Sequence, residues 1–133
     1  MQPRLLLDTH VLIRWLIDSR KLSREQSRAL ERAVRRNEPL ALSAISLLEI
    51  AILVGEGQLK LKVALPDFFA DLESNPVFRI LPLTVEVATE VDSTRSLRDP
   101  ADRAIVATAR VYRLSLVSSD ERIIDSELVP VIS

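Results

Sequence analysis

The chain has 133 residues, 47% of them hydrophobic and 28% charged, which suits one domain with a sizeable core and excludes a globally disordered protein. Cysteine is absent, so disulfides and thiolate metal sites are excluded and a reducing compartment is favoured. The 18 basic and 19 acidic residues give a formal net charge of −1, so the overall charge does not indicate nucleic-acid binding.

The first half of the chain predicts two strands and three helices. In order, these are a strand over residues 4–7, a helix over 9–17, a helix from Ser23 to about residue 36, a strand over 40–42 and a helix around Glu49. Ser23 followed by Gln26 is a capping-box pattern that favours a helix start. Gly55 and Gly57 are expected to end the Glu49 helix and to form the turn after it.

The second half predicts three more helices and three more strands. In order, these are a helix from Pro66 to about Asn75, a strand over 78–81, a helix from Thr84 to about residue 95, a helix that begins after Asp99, a strand over 115–118 and a fifth strand over 129–132. Pro100 directly after Asp99 favours a helix start there. Pro130 cannot donate to a strand ladder, so the last strand is predicted at the edge of the sheet.

Strands that alternate with helices predict an α/β fold with a mainly parallel sheet of about five strands, covered by helices on both faces. Right-handed crossovers place the carboxyl ends of parallel strands at one edge. Open sheets of this kind bind ligands in the crevice beyond that edge. No apolar stretch reaches the ~18 residues that a membrane helix needs, and the N-terminal apolar run is too short for a secretory signal. We therefore expect a single domain over residues 1–133, in the cytoplasm and without membrane attachment.

Four acidic residues occur where such a fold brings the chain to that edge. Asp8 and Asp120 each follow a strand, and Glu49 and Asp99 belong to helices entered from the same side. Carboxylates that converge repel one another unless a cation lies among them, and Mg²⁺ and Mn²⁺ prefer such oxygen ligands. The pattern indicates metal-assisted phosphodiester chemistry.

Each acid also has a purely structural interpretation. Asp8 and Asp120 could cap the segments that follow them, and Asp99 with Asp102 is a good helix start without any chemistry. Glu49 is the most informative, because its apolar helical neighbours are expected to face the core, where a carboxylate needs a cation or another partner. These neighbours are Ile45, Leu48, Ile52 and Leu53.

Other side chains near these acids are harder to assign. His10 is the only histidine and lies two residues after Asp8; residues two apart on a helix do not face each other, so an acid–base role is not favoured. Trp15 is interpreted as core. Ser118 either satisfies the backbone at a strand end or contacts a metal-bound water or a phosphate. The arginine-rich segment 20–36 is either a solvated helix face or a contact for phosphates or an acidic partner.

Four segments together resemble the motifs of PIN-domain proteins, specifically the VapC-like toxins of bacterial type II toxin–antitoxin pairs. The segments are residues 5–16 with Asp8-Thr9-His10, residues 43–51 with Glu49, residues 98–109 with Asp99-Pro100-Ala101-Asp102-Arg103, and residues 116–123 with Ser118-Ser119-Asp120. Their order and spacing extend over nearly the whole chain, while residues 60–82 carry no diagnostic motif.

The resemblance implies a compact α/β/α sandwich and a Mg²⁺- or Mn²⁺-dependent endoribonuclease. It also implies a homodimer and a small antitoxin whose tail blocks the acidic pocket. Asp8, Glu49, Asp99 and Asp120 would be the catalytic acids, with Asp8, Asp99 and Asp120 as metal ligands. The resemblance assigns supporting positions to Thr9, Asp102 and Ser118.

Two other classes of protein remain as alternatives. A PIN-like module that binds RNA or protein without catalysis would carry the same motifs. A receiver-type signalling domain also places Mg²⁺ in an acidic pocket at strand ends, but it needs paired acids after the first strand and a lysine after the last. Here Asp8 stands alone, and the only lysines are Lys21, Lys60 and Lys62.

Overall fold

A computed structural model describes residues 1–133. Its centre is a five-stranded sheet in the order β3-β2-β1-β4-β5, and every pair of neighbouring strands is parallel. The strands are β1 (Leu5–Leu7), β2 (Leu40–Ser43), β3 (Phe78–Leu81), β4 (Ser115–Val117) and β5 (Val131–Ile132). Strand β1 therefore lies in the middle, and β5 forms an edge directly after Pro130, as predicted.

Seven α-helices flank the sheet. They are α1 (Thr9–Ile17), α2 (Arg24–Arg35), α3 (Ala44–Gly55), α4 (Leu65–Ser74), α5 (Val85–Glu90), α6 (Pro100–Tyr112) and α7 (Glu121–Ser126), with short 3₁₀ helices at Ser19–Lys21 and Val91–Thr94. The predicted capping box is present at the start of α2, where the Ser23 and Gln26 side chains each bond the other's backbone N–H. No helix combines the length and the apolar character needed to span a bilayer.

The core consists of two apolar clusters, one on each face of the sheet. Successive strand residues point to opposite faces, so Leu6 enters one cluster and Leu7 the other. Helices α6 and α7 supply buried residues to the first cluster, and helices α1, α2 and α3 supply the second. Trp15 packs edge-on against Phe78 with ring centroids 5.9 Å apart, so its assignment to the core is confirmed. The predicted three-layer α/β/α sandwich is likewise confirmed.

The structure corrects three details of the sequence analysis. The helix predicted from Thr84 to residue 95 is divided, because the Arg103 guanidinium bonds the Val91 carbonyl and the Thr94 hydroxyl where the α-helix gives way to a 3₁₀ turn. Helix α7 was not predicted as a helix. Val34 and Tyr112, which the helical spacing of apolar residues predicts on the inner faces of α2 and α6, are 40% and 39% exposed.

Candidate active site

Asp8 lies at the carboxyl end of the central strand and is only 3% exposed. It is the N-cap of α1: its Oδ1 accepts the Thr9 backbone N–H at 2.8 Å. The other carboxylate oxygen, Oδ2, accepts the Ser118 hydroxyl at 2.7 Å. The capping interpretation is therefore correct, and it does not use up the carboxylate, because each oxygen retains a lone pair for a further ligand.

Glu49 on α3 is joined to α1 through Thr9. The Thr9 hydroxyl donates to Glu49 Oε1 at 2.5 Å and lies 2.8 Å from the Ser46 hydroxyl. Burial raises the pKa of Glu49, the Thr9 hydrogen bond opposes that rise, and the charges of Asp8 and Asp99 add to it. A hydroxyl thus orients a carboxyl group whose proton affinity is above the usual range.

Asp99 and Asp102 enter the same pocket from the start of α6. Asp99 is the N-cap, and its Oδ1 accepts the backbone N–H groups of Ala101 at 2.7 Å and Asp102 at 3.2 Å. Burial raises the pKa of Asp102 to about 7, and the four surrounding carboxylates add to the effect. Those carboxylates are Asp99, Asp8, Asp120 and Glu49. Five acids from four segments of the chain therefore share one electrostatic environment.

Asp120 is the N-cap of α7 and accepts the Arg122 backbone N–H at 2.9 Å. Its own backbone N–H donates to the Ser118 hydroxyl at 3.1 Å. The exposed guanidinium of Arg122 lies 3.4 Å from Asp120 Oδ2 and is a weak, solvent-screened partner. The sequence analysis singled out seven residues, and all of them lie at the carboxyl edge of the sheet. They are the four acids together with Thr9, Asp102 and Ser118.

His10 is a neighbour that the spacing argument discounted. Its Nε2 accepts the Ser119 backbone N–H at 2.9 Å, and its Nδ1 is 3.4 Å from Asp8 Oδ2. The argument failed because Asp8 is a cap with extended backbone angles, so the two residues do not follow helical spacing. Burial lowers the pKa of His10, and the Asp8 charge partly opposes this. The ring therefore bridges the segments that follow β1 and β4.

The expectation that the apolar neighbours of Glu49 face the core is wrong for two of them. Leu48 is 54% exposed and Ile52 is 48% exposed. With Glu49 they line an open groove of about 380 Å³ between α3 and the start of α6, together with Ile45, Leu53, Pro100 and Ala101. The helix has its inward face at Ser46 and Ile50 instead, so the groove is an apolar surface directly beside the acids.

The donor atoms in the pocket are carboxylate oxygens, which are the ligands of hard divalent cations. Burial, and after it the neighbouring carboxylates, raise the pKa values of Glu49 and Asp102, so the protein itself does not fully compensate the negative charge here. No three of these side chains are grouped closely enough to form a ready-made metal cage. This still fits Mg²⁺, which keeps several waters, so an acid can hold the ion through a bound water as well as directly.

Comparison with known proteins gives one family. The family model described as PIN domain matches residues 5–126. Ribonuclease VapC22 of Mycobacterium tuberculosis (strain ATCC 25618 / H37Rv) is 33% identical over 120 residues, which cover 89% of this chain and 88% of that protein.

Solved structures with the same fold include one described as a toxin–antitoxin complex from Klebsiella pneumoniae, with a TM-score of 0.66 and 24% identity over 97% of this chain and 96% of that chain. FitAcB from Neisseria gonorrhoeae aligns with a TM-score of 0.70 and 26% identity, over 97% of this chain and 96% of that chain. VapBC2 from Rickettsia felis, bound to a DNA fragment from their promoter, aligns with a TM-score of 0.70 over 98% and 97% of the two chains. At 24% and 16% identity, the likenesses to the Klebsiella pneumoniae complex and to VapBC2 concern the fold alone.

Proposed function

The chain belongs to the VapC-like group of the PIN domain family, and from this premise we propose that it is a Mg²⁺- or Mn²⁺-dependent endoribonuclease. The observation that carries the proposal is the set of five acids at one edge of the sheet, where burial, together with the charges of the four other carboxylates, raises the pKa of Asp102 to about 7. Such a pocket is costly to maintain in the folded protein. Binding of a divalent cation between RNA and protein would offset that cost.

Asp8, Asp99 and Asp120 are the residues proposed to hold the metal. When bound, the metal would lower the pKa of a water molecule and neutralise charge on the phosphate. Asp8 is fixed for this role by the Thr9 N–H and the Ser118 hydroxyl. The Oδ2 of Asp99 remains available for a metal ion, since Oδ1 already accepts the two backbone N–H groups of the helix cap.

Glu49 is proposed to hold the attacking water and to accept its proton. Its raised pKa makes it a better base near neutral pH than an ordinary carboxylate. Thr9 orients the carboxyl group through the bond to Oε1 and leaves Oε2 available. Ser118 and Asp102 act in support, Ser118 by orienting Asp8 and Asp102 by adding negative charge to the pocket.

We further propose that the protein is the toxin of a toxin–antitoxin pair, acts as a homodimer and resides in the cytoplasm. One of its structural relatives, from Klebsiella pneumoniae, is described as a toxin–antitoxin complex. An inhibitor that binds the acidic pocket is expected to carry an arginine or a lysine, because opposite charges attract. The groove beside α3 gives that inhibitor an apolar surface to pack against. Because the PIN domain model matches residues 5–126, the receiver-type alternative is rejected.

The test of catalysis compares two asparagine variants on purified RNA. Asp99→Asn keeps an oxygen for the helix cap and removes the charge, so it should fold normally and lose cleavage. Asp67→Asn is the matched control, because Asp67 is an exposed acid in the first turn of α4. Wild-type cleavage that needs Mg²⁺ or Mn²⁺ supports the proposal, whereas RNA binding without any cleavage would favour the non-catalytic PIN-like module.

A second test measures metal binding without activity. Mg²⁺ should raise the melting temperature of the wild type, because the folded pocket binds it and the unfolded chain does not. Asp99→Asn should respond less to Mg²⁺ and should melt no lower than wild type without metal, since repulsion in the pocket falls. A wild-type melting temperature that is the same in EDTA and in millimolar Mg²⁺ would count against the metal site.

A further inference from the structure

We propose that Arg14 and Ser119 form a subsite for a backbone phosphate of the RNA, at the margin of the acidic pocket. The inference rests on the proposed function and adds a substrate contact to it. Ser119 lies between Ser118 and Asp120, and Arg14 reaches it from α1, with Nη1 3.4 Å from the Ser119 Oγ. Ser119 directly precedes the proposed metal ligand Asp120 in the sequence, so a phosphate held there would lie next to the metal site.

The Ser119 hydroxyl has a proton that no protein atom accepts. Its oxygen accepts the Gln26 side-chain N–H at 2.9 Å and faces the Arg14 guanidinium. The orientation of the Gln26 amide is fixed, because its Oε1 accepts the Ser23 backbone N–H at 3.1 Å. With donors on both sides of the oxygen, the Ser119 O–H points away from them, toward solvent where an anion can accept it.

Arg14 supplies the charge that an anion needs. It is partly buried on α1 and takes part in no ion pair, and its one side-chain contact is the long approach to Ser119. A guanidinium offers five N–H donors in a planar fork that matches phosphate oxygens. Most of these donors remain free here, beside a pocket of carboxylates whose other cationic neighbour, Arg122, lies against Asp120.

The subsite is also held in place before any ligand arrives. The Ser119 backbone N–H is bound by His10, and Gln26, which is 0% exposed, holds the side chain. Phosphate contacts of this kind fix the register of a nucleic acid without reading its bases. Arg14 and Ser119 would therefore position the RNA chain so that a neighbouring phosphate meets the acids.

The experiment measures RNA affinity in the Asp99→Asn background, where the RNA is not cut. A fluorescent single-stranded RNA is titrated at several KCl concentrations against that protein and against the same protein with Arg14→Gln. We expect about tenfold weaker binding, as for loss of one hydrogen-bonded charge. We also expect the slope of log affinity against log salt to become shallower by about 0.7. Arg79→Gln is the matched control, because Arg79 is an exposed arginine on edge strand β3.

Ser119→Ala tests the second half of the subsite. It should weaken RNA binding, and its effect should be less than additive with Arg14→Gln because both residues contact one phosphate. Ser119→Thr keeps the hydroxyl and should restore affinity. Melting curves monitor the fold, since Ser119→Ala leaves the buried Gln26 amide without its acceptor.

Unchanged RNA affinity and an unchanged salt slope in Arg14→Gln would overturn the subsite, even if that variant bound an acidic protein partner less well. This outcome is distinct from failure of the proposed function, which would appear as no metal-dependent cleavage by the wild type. In the cleaving protein, Arg14→Gln should raise KM more than it lowers kcat, as expected for loss of a binding contact.

Discussion

The Ser118 hydroxyl donates to Asp8 Oδ2 at 2.7 Å and thereby joins the carboxyl ends of two neighbouring strands, β4 and the central strand β1. The Ser118 Oγ also accepts the Asp120 backbone N–H at 3.1 Å. Ser118 is fully buried, so neither bond competes with water. One hydroxyl thus sets the relative position of two proposed metal ligands.

Replacement of Ser118 by alanine should therefore damage metal binding more than the fold. The loss of a buried hydroxyl between two partners should lower the free energy of unfolding by about 1–3 kcal/mol. The Mg²⁺-induced rise in melting temperature should shrink as well, because Asp8 loses its orienting bond. Ser115→Ala, at the other end of β4, is the matched control. An undiminished response to Mg²⁺ in Ser118→Ala would show that Ser118 does not organise the site.

Replacement of Thr9 by valine should change the pH dependence of catalysis. The Thr9 hydroxyl lowers the pKa of Glu49 against the effect of burial, so its removal should raise that pKa further. The acidic limb of kcat/KM against pH should then move to higher pH. Thr9→Ser keeps the hydroxyl and should stay near the wild-type profile. If the limb does not move in Thr9→Val, Glu49 is not the group that the profile reports.

Asp102 should make the metal-free protein less stable as pH rises. Its pKa is about 7 in the folded protein against a usual value of 3.8, so the folded state binds the proton more tightly. That stabilisation is complete below pH ~4 and is lost as pH rises through ~7. Asp102→Asn cannot ionise and should gain melting temperature relative to wild type, by a few degrees at most, between pH 5 and 8.

Solvent screening limits this effect, because Asp102 is only about half-buried. Mg²⁺ should weaken the pH dependence of the wild-type melting temperature, since a cation among the acids favours the ionised carboxylate. If the melting temperatures of wild type and Asp102→Asn without metal differ by the same amount at every pH between 5 and 8, the raised pKa of Asp102 is contradicted.

The groove beside α3 should be required for inhibition by the antitoxin. Ile52→Glu places a charge among the apolar residues of the groove and should weaken the complex by about tenfold or more, as for a charged group left unpaired at an interface. The RNase activity of Ile52→Glu should then persist at antitoxin concentrations that fully inhibit the wild-type enzyme. Val85→Glu is the matched control, because Val85 is 84% exposed and lies outside the groove. Equal inhibition of the two variants would place the antitoxin elsewhere.

Much of this architecture follows from local patterns in the sequence. The run before Asp8 predicts β1 because three consecutive apolar residues suit a strand buried on both faces, and the structure has Leu5–Leu7. The Ser23 capping box predicts the start of α2 because it satisfies backbone donors within four residues. These features depend on neighbours in the chain, and the sequence contains those neighbours.

The features that were missed depend on distant contacts. The division at Val91 arises from Arg103, twelve residues away. The place of His10 arises from Ser119, 109 residues away. The outward position of Leu48 and Ile52 depends on which face of α3 meets the sheet, and an almost wholly apolar helix does not specify that face by periodicity.

The central place of β1 affects the order in which the pocket can be made during translation. Leu5 pairs with Ser115, so β1 gains its second neighbour only after β4 has been synthesised. A nascent chain that already contains Asp8 and Glu49 lacks Ser118 and Asp120 until the segment after β4 has been synthesised. Domains generally fold as units as they emerge. We therefore expect no RNA cleavage by a nascent chain that ends before Ser118, because two of the proposed site residues are then missing from the pocket.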